Sequence, residues 1–516
     1  MSDERRRGGR QRPPARGRSA QHRSAQRPSE RSRRTDPARL AAYSVMREVA
    51  EGAYANLALP RLLREKRIQG RDAGFATELV YGATRMSGLY DAIAATAADR
   101  PVDRIDPGVL DTIRLGAHQL LGMRVPTHAA VDETVALARQ VNGAGASGFV
   151  NAVMRRISER SLDEWLEVVS GGVSDPVEAL AIRTSHPLWV AKALRAALIG
   201  HGRVSDAEAA EAELALLLES DNAPAKVSLA ARPGLATVAE LVEAGAEAST
   251  TSPVGAVLPE GDPGRIPAVR QGRAAVQDEG SQLVALAIAT AEVGQDAMKA
   301  ERWLDLCAGP GGKAGLLASI AVQRRIPFVA NEVNEHRVEL VRQTLRAVSA
   351  AAREAGTTLE IVHGDGRDFA AGAQPGFGPS TGGAARESAY SRVLIDAPCT
   401  GLGALRRRPE ARWRRRPSDV AALAGLQREL LAAGIDATTP GGVIGYATCS
   451  PHLNETRFVV QDVLKKRDDV ELVDARPLFR DAAGAQLPDL GDGPYVQLWP
   501  HVHGTDAMFL ALLRKR

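Results

Sequence analysis

Apolar residues recur at helical spacing from residue 37 to about 160. Ala38, Ala41, Ala42, Val45 and Val49 share one face, and LALPRLLREKR, RDAGFATELVYGATR, PGVLDTIRLGAHQLLGM and AAVDETVALARQV repeat the pattern. GASGFVNAVMRRI closes the series, with Phe149, Val150, Val153 and Ile157 as its stripe. Short joints between these stretches predict a compact helical bundle over 37–160. Residues 161–220 read as further helical connector. Residues 222–275 mix the apolar runs AKVSLAA and GAVLP with the helix-like LATVAELVEAG. The span 161–275 is therefore expected to be a connector with a small α/β subdomain.

The pattern changes at 276. VQDEGSQLVALAI opens as a helix, and from about 300 short apolar runs alternate with longer amphipathic ones. RWLDLCA, IPFVANEV, LEIVHGD, SRVLIDAP, GGVIGYATC and AMFLALLR predict strands. HRVELVRQTLRAVSAAAREAG and DVAALAGLQRELLAAGIDA predict helices between them. This alternation specifies an α/β doubly wound sheet over 276–516. Residues 371–390, rich in Gly, Ser and Pro, predict a mobile surface insertion between two strands. The sequence has no internal repeat.

Composition narrows the class. The 516 residues are 44% hydrophobic and 25% charged, ordinary for a multidomain globular chain. No apolar run reaches the length of about 18 residues that spans a membrane, and the polar N-terminus lacks a signal-peptide core. Three cysteines without a CxxC pair give neither a disulfide framework nor a zinc site, and the ten histidines show no metal-ligand spacing. No metal is expected, and free thiols point to a cytoplasmic protein. The net charge of +4 is uneven: residues 1–36 carry twelve Arg against four acids. That segment has no apolar periodicity and is expected to be a disordered cationic arm suited to a phosphate backbone.

The candidate chemistry lies at predicted strand ends. DLCAGPGGKA joins the first predicted strand of the sheet to a helix, and Gly309, Gly311 and Gly312 allow a tight turn with close backbone approach to a ligand. It is neither a phosphate loop, since Ala314 follows Lys313, nor a GxGxxG turn. Acids recur at later strand ends: Glu332, Asp365 and Asp396. An acid after the second strand suits ribose hydroxyls, and one after the third can accept from an adenine amine. With the Gly-rich loop they predict a nucleoside cofactor, S-adenosylmethionine rather than NAD. Asp396 suits the methionine end of that cofactor or the polar edge of a substrate base. Lys313 reads either as a cofactor or substrate contact or as a surface residue at a helix start. Cys399 in DAPCTGLG and Cys449 in YATCS each follow an apolar run, which places two thiols where ligands bind in open α/β sheets. Arg406–Arg408 and Arg412–Arg416, with Trp413 among them, combine positive charge with an aromatic and are expected to contact RNA.

DLCAGPGGK, the acids at 332 and 365, DAPCTGLG and YATCS occur in the order found in the Sun/Nop-type RNA cytosine-5 methyltransferases, and the chain resembles that family over about 276–516. RDAGFATELVYGATR, IRLGAHQLLGM, HAAVDETVALA and GFVNAVMRRI resemble the NusB-type RNA-binding domain, which bacterial 16S rRNA enzymes of this family carry. The resemblance implies a Rossmann-like S-adenosylmethionine-dependent methyltransferase behind an all-α NusB-like domain. It implies cofactor binding by Cys307, Ala308, Gly309, Pro310, Gly311, Gly312, Lys313, Glu332, Asp365 and Asp396. It also implies Cys449 as nucleophile and Cys399 as the cysteine that assists product release. DNA cytosine methyltransferases instead use the cysteine after a proline, so chemistry alone leaves the two roles open. The sequence departs from the family at Gly309, Ala314 and GTDAMFLALL. The expected substrate is RNA, 16S rRNA first and tRNA as the alternative, with a monomer expected. A reading of a different class is a non-catalytic NusB-like RNA-binding or antitermination factor.

Overall fold

The computed structural model describes residues 35–299, 301–371 and 390–516. Most of the cationic arm and most of the 371–390 insertion lie outside the described residues.

Seven helices pack between Pro37 and Ile157. Two of them start at a cap written in the sequence: Asp36 and Asp106 each precede a proline and accept main-chain amides of the first turn (Ala38 N at 3.1 Å, Gly108 N at 2.9 Å). The stripe Ala38, Ala41, Ala42, Val45 and Val49 is buried, as are Val150, Val153 and Ile157. Phe149 stays half-exposed under the guanidinium of Arg100. Helices Leu162–Ser170, Pro176–Arg183, Leu188–Gly200 and Ala207–Asn222 follow.

The small unit is an antiparallel sheet of β1 (Val227–Ala231), β2 (Glu247–Ala248), β3 (Gly255–Leu258) and β4 (Ala274–Val276), in the order β2-β3-β1-β4. It docks through Arg232, 2% exposed, whose Nη1 donates to Gly272 O and Thr344 O at 2.7 Å. A Cβ at Gly315 would sit 2.5 Å from the Arg232 guanidinium, so glycine there makes room for the docking.

The large sheet contains β5 (Trp303–Asp305), β6 (Phe328–Glu332), β7 (Leu359–His363), β8 (Tyr390–Asp396), β9 (Thr438–Thr448), β10 (Val470–Val473), β11 (Val496–Gln497) and β12 (Phe509–Lys515). Its order is β10-β12-β9-β8-β5-β6-β7, with β11 paired to β12. The strands from β9 to β7 are parallel, and β12 joins β9 antiparallel. Helices Glu279–Thr290, Gly312–Gln323 and Glu335–Ala355 bury one face of the sheet, and Pro417–Ala437 and Arg457–Leu464 the other. This is the doubly wound arrangement the alternation implied. The chain runs outward through β5, β6 and β7, then returns to β8 on the other side of β5. That reversal puts the crevice at the carboxyl ends of β5 and β8.

The sequence pattern missed β10 and β11. Val470–Val473 lies in the highly charged stretch KKRDDVELVDARP, and β11 has two residues. Both are made strands by pairing with β12, a partner remote in sequence.

Candidate active site

Three strand ends deliver the acids. Glu332 ends β6, Asp396 ends β8, and Asp365 lies two residues beyond β7. Together with Cys307, Asn331, Val333 and Pro398 they line one cleft, with Leu426 and Leu430 as its apolar wall and about 690 Å³ of empty space open to solvent. Glu332 is buried, and its Oε2 accepts from Gly309 N at 3.0 Å. A Cβ at Gly309 would lie 2.1 Å from that oxygen, so the glycine permits the approach. Ala308 N donates to Asn331 O at 2.7 Å, which fixes the loop against β6. The Gly309–Pro310 peptide is cis. Of the loop expected to hold the cofactor only Cys307 lines the cleft, and Ala308, Gly309, Pro310, Gly311, Gly312 and Lys313 lie outside its lining; Pro310 O accepts from the Thr344 hydroxyl instead. Asp365 accepts from Arg367 through both oxygens, and this pairing holds its carboxyl below the usual range.

Lys313 is buried, which excludes the surface reading. Its Nζ lies 3.0 Å from Asp396 Oδ2. Burial works against its charge, but Asp396, Cys449 and Asp305 outweigh burial and raise its pKa. Lys313 thus pairs with one cleft acid and also acts electrostatically on Cys449.

Cys399 and Cys449 converge. β8 and β9 are parallel neighbours, and the two thiols beyond their ends sit 3.5 Å apart, both reduced. Two main-chain bonds bracket them: Ala397 N to Ala447 O at 2.9 Å, and Gly403 N to Cys449 O at 2.8 Å. Donation from the Cys399 thiol holds Cys449 below the ordinary thiol range, with Lys313 and Arg408 adding to the effect. The same contact, with burial, pushes Cys399 well above it. The contact leaves the two sulfurs inequivalent, with Cys449 the more acidic and Cys399 the less.

Two buried acids escaped the sequence reading. Asp305 ends β5, and burial beside Asp396 pushes its carboxyl up to about 8. It is the first residue of the DLCAGPGGKA motif, which is the signal that marks it. Glu455 lies in the polar turn SPHLNET, where nothing separates it from a surface acid; the fold buries it completely. Among the described residues no His/Cys/Asp/Glu group could hold a metal ion, and no helix is long and apolar enough to cross a membrane.

The arginine run does something other than expected. Arg412 is 0% exposed and donates to Ser185 O, Asp221 O and Asn222 Oδ1. Arg414 donates to Val49 O, Gly52 O and Ala53 O in the helical bundle. Arg406 donates to Gly504 O, Arg407 pairs with Asp278 and Asp506, and Arg415 donates to Thr400 O. These five tie the catalytic unit to its neighbours and to itself, because a guanidinium satisfies several main-chain carbonyls at a domain junction. Arg408, Arg416 and Trp413 remain exposed, with the Trp413 indole seated on Gly88.

The cleft suits a nucleoside bearing a charged amino-acid end. It offers three carboxylates, an apolar wall for a ring, and Asn331 Oδ1, which is buried without a partner.

Comparisons with known proteins agree with this layout. The family model described as 16S rRNA methyltransferase RsmB/F matches residues 295–514, and the NusB family model matches 36–159. Rv1407 of Mycobacterium tuberculosis, provisionally named a methyltransferase, is 49% identical over 488 residues, covering 94% of this chain and 98% of that protein. The ribosomal RNA small subunit methyltransferase B of Pseudomonas putida is 32% identical over 436 residues, covering 83% and 89%. The crystal structure of PH0851 superposes with a TM-score of 0.71 over 93% of this chain and all of that one, at 20% identity, and shares the fold. The chain belongs to the RsmB/F family of 16S rRNA methyltransferases and carries a NusB-family domain ahead of its catalytic sheet.

Proposed function

We propose that this protein transfers a methyl group from S-adenosylmethionine to C5 of a cytosine in RNA, with 16S rRNA as the substrate, through a covalent adduct on Cys449. The observation that carries the reading is the pair of thiols 3.5 Å apart beside an acid-lined cleft, with Lys313 paired to the cleft acid Asp396 at 3.0 Å. When bound, S-adenosylmethionine supplies an electrophilic methyl group on a sulfonium. Glu332 would hold the ribose hydroxyls, Asp365 the adenine amine, and Asp396 with Lys313 the amino-acid end. Cytosine C5 is a weak nucleophile. Attack of the Cys449 thiolate on C6 forms a C–S bond and makes C5 enamine-like, so that it can take the methyl group. The C5 proton then leaves to a base, and the C–S bond breaks to return the base to aromaticity. Cys399, which keeps its proton, sits where it can protonate the departing Cys449 sulfur as the C–S bond breaks. The target cytosine must be unpaired or flipped out to reach these atoms.

The test is methyl transfer from labelled S-adenosylmethionine to naked 16S rRNA by wild type, Cys449→Ala and Cys399→Ala. Transfer by wild type, none by Cys449→Ala and a denaturation-resistant RNA adduct with Cys399→Ala are expected. Transfer to tRNA alone would change the substrate. Tight RNA binding without transfer to any RNA would replace the reading by that of a binding factor.

A further inference from the structure

Glu455 is fully buried in the turn after β9. Its Oε1 accepts from Thr400 N at 2.7 Å, and its Oε2 accepts from the hydroxyls of Thr400 and Ser450. Thr400 follows Cys399, and Ser450 follows Cys449. One carboxylate therefore clamps both cysteine loops at the residue next to each sulfur. The two hydroxyls it gathers are 3.3 Å apart, close to the separation of the two sulfurs. Gln427 Nε2 closes the other side, donating to Pro398 O at 2.9 Å and lying 3.5 Å from Glu455 Oε1. The Tyr446 hydroxyl donates to Glu455 O at 2.7 Å and fixes the turn that carries the clamp. An acceptor-only group with two oxygens is what three converging donors require. A glutamine offers one acceptor oxygen and directs an NH₂ at the hydroxyls.

We propose that Glu455 is a positioning residue that sets the spacing and register of the two thiols, so that Cys449 and Cys399 act in sequence on one base. This rests on the two-cysteine reading above. Glu455 touches neither sulfur, and it acts through Thr400 and Ser450. Its charge also favours the protonated form of Cys399, the state that a release step uses.

The spacing can be read without catalysis. Phenylarsine oxide forms two As–S bonds with a pair of thiols and releases one water, and it bridges only sulfurs held close together. Full-length wild type, Glu455→Gln, Ser450→Ala and Cys399→Ala are titrated with it and then challenged with a monothiol. Wild type should bind one equivalent, and Cys399→Ala should lose this. Glu455→Gln should bind about tenfold more weakly, the effect of one lost charge-assisted hydrogen bond, with Ser450→Ala between. In turnover with RNA, Glu455→Gln should lower kcat, leave KM for RNA within about twofold, and accumulate a covalent RNA adduct. Ser450→Ala removes one hydrogen bond and carries the test if Glu455→Gln fails to fold. Arsenical binding equal to wild type in folded variants overturns the proposal, even if wild type methylates RNA. Weakened arsenical binding in variants of a protein that methylates no RNA leaves the positioning role standing and removes the methyltransfer reading.

Discussion

Replacing Arg412 by methionine separates two roles for the arginine run. Arg412 is fully buried, and burial pushes its guanidinium down to about 10. It donates to Asn222 Oδ1 at 2.8 Å and to Ser185 O and Asp221 O at 3.2 Å each. Methionine keeps much of the stem volume and leaves two buried main-chain acceptors and the half-buried Asn222 amide oxygen without their donor. Asp221, already pushed up to about 7 by its burial, also loses a nearby cation and stays protonated to still higher pH. Losing a buried donor costs about 1–2 kcal/mol for each orphaned acceptor, so the expected destabilisation is about 3–6 kcal/mol. Urea unfolding followed by tryptophan fluorescence and circular dichroism measures it. RNA binding, measured well below the unfolding transition, should keep the wild-type salt dependence. A side chain that neutralised a phosphate of single-stranded RNA would behave oppositely: its loss would reduce the slope of log K against log salt by about 0.7 and leave stability unchanged. An unchanged unfolding midpoint with a reduced salt slope would refute the structural role argued here.

Further predictions concern charge and backbone at the site. The pH midpoint for alkylation of Cys449 by iodoacetamide should lie below that of a free thiol, about 8.5. Lys313→Met should move it up and Asp396→Asn down, because the cation favours the thiolate and the carboxylate opposes it; shifts of one sign in both variants would contradict the electrostatic assignment. Asp305 is raised to about 8 in the fold from an unfolded value near 3.8. The native state thus holds an extra proton between these values, and stability is lost as pH rises toward 8. Asp305→Asn should flatten that loss, measured as urea midpoints at pH 5 and pH 9, and parallel curves for the two proteins would count against it. A Cβ at Gly403 would lie 2.2 Å from Ala507 O and 2.8 Å from Cys449 O, both main-chain atoms. Gly403→Ala should therefore displace the Cys449 loop and reduce methyl transfer far more than RNA binding; transfer at the wild-type rate would show the loop to be free to yield.

Where sequence reading succeeded, the decisive signal was local. An apolar run followed by an acid or a cysteine identifies a strand end, and strand ends of a doubly wound sheet meet at one edge. Glu332, Asp365, Asp396 and Cys307 were recognisable for that reason, and the structure brings them to one cleft. The juxtaposition of Cys399 and Cys449 follows from β8 and β9 being neighbours, a property of strand order that periodicity does not encode. Arg412 and Arg414 differ from the expectation because charge in a sequence looks the same whether it faces a phosphate or a neighbouring domain's carbonyls. Lys313 was ambiguous for a related reason: burial of its amine depends on Asp396, eighty-three positions away. Glu455 left no local mark, since its three donors arrive from the loops after β8 and β9.

The acceptors chosen by the strap arginines carry an evolutionary consequence. Val49, Gly52, Ala53, Ser185, Asp221, Thr400 and Gly504 are engaged through their main-chain oxygens. A carbonyl is present whatever side chain stands there, so the receiving surface is free to drift between lineages while the donors are not. Aligned relatives should then show invariant arginines facing variable partners, a one-sided pattern that resembles selection for a nucleic acid although its origin is the joint between domains.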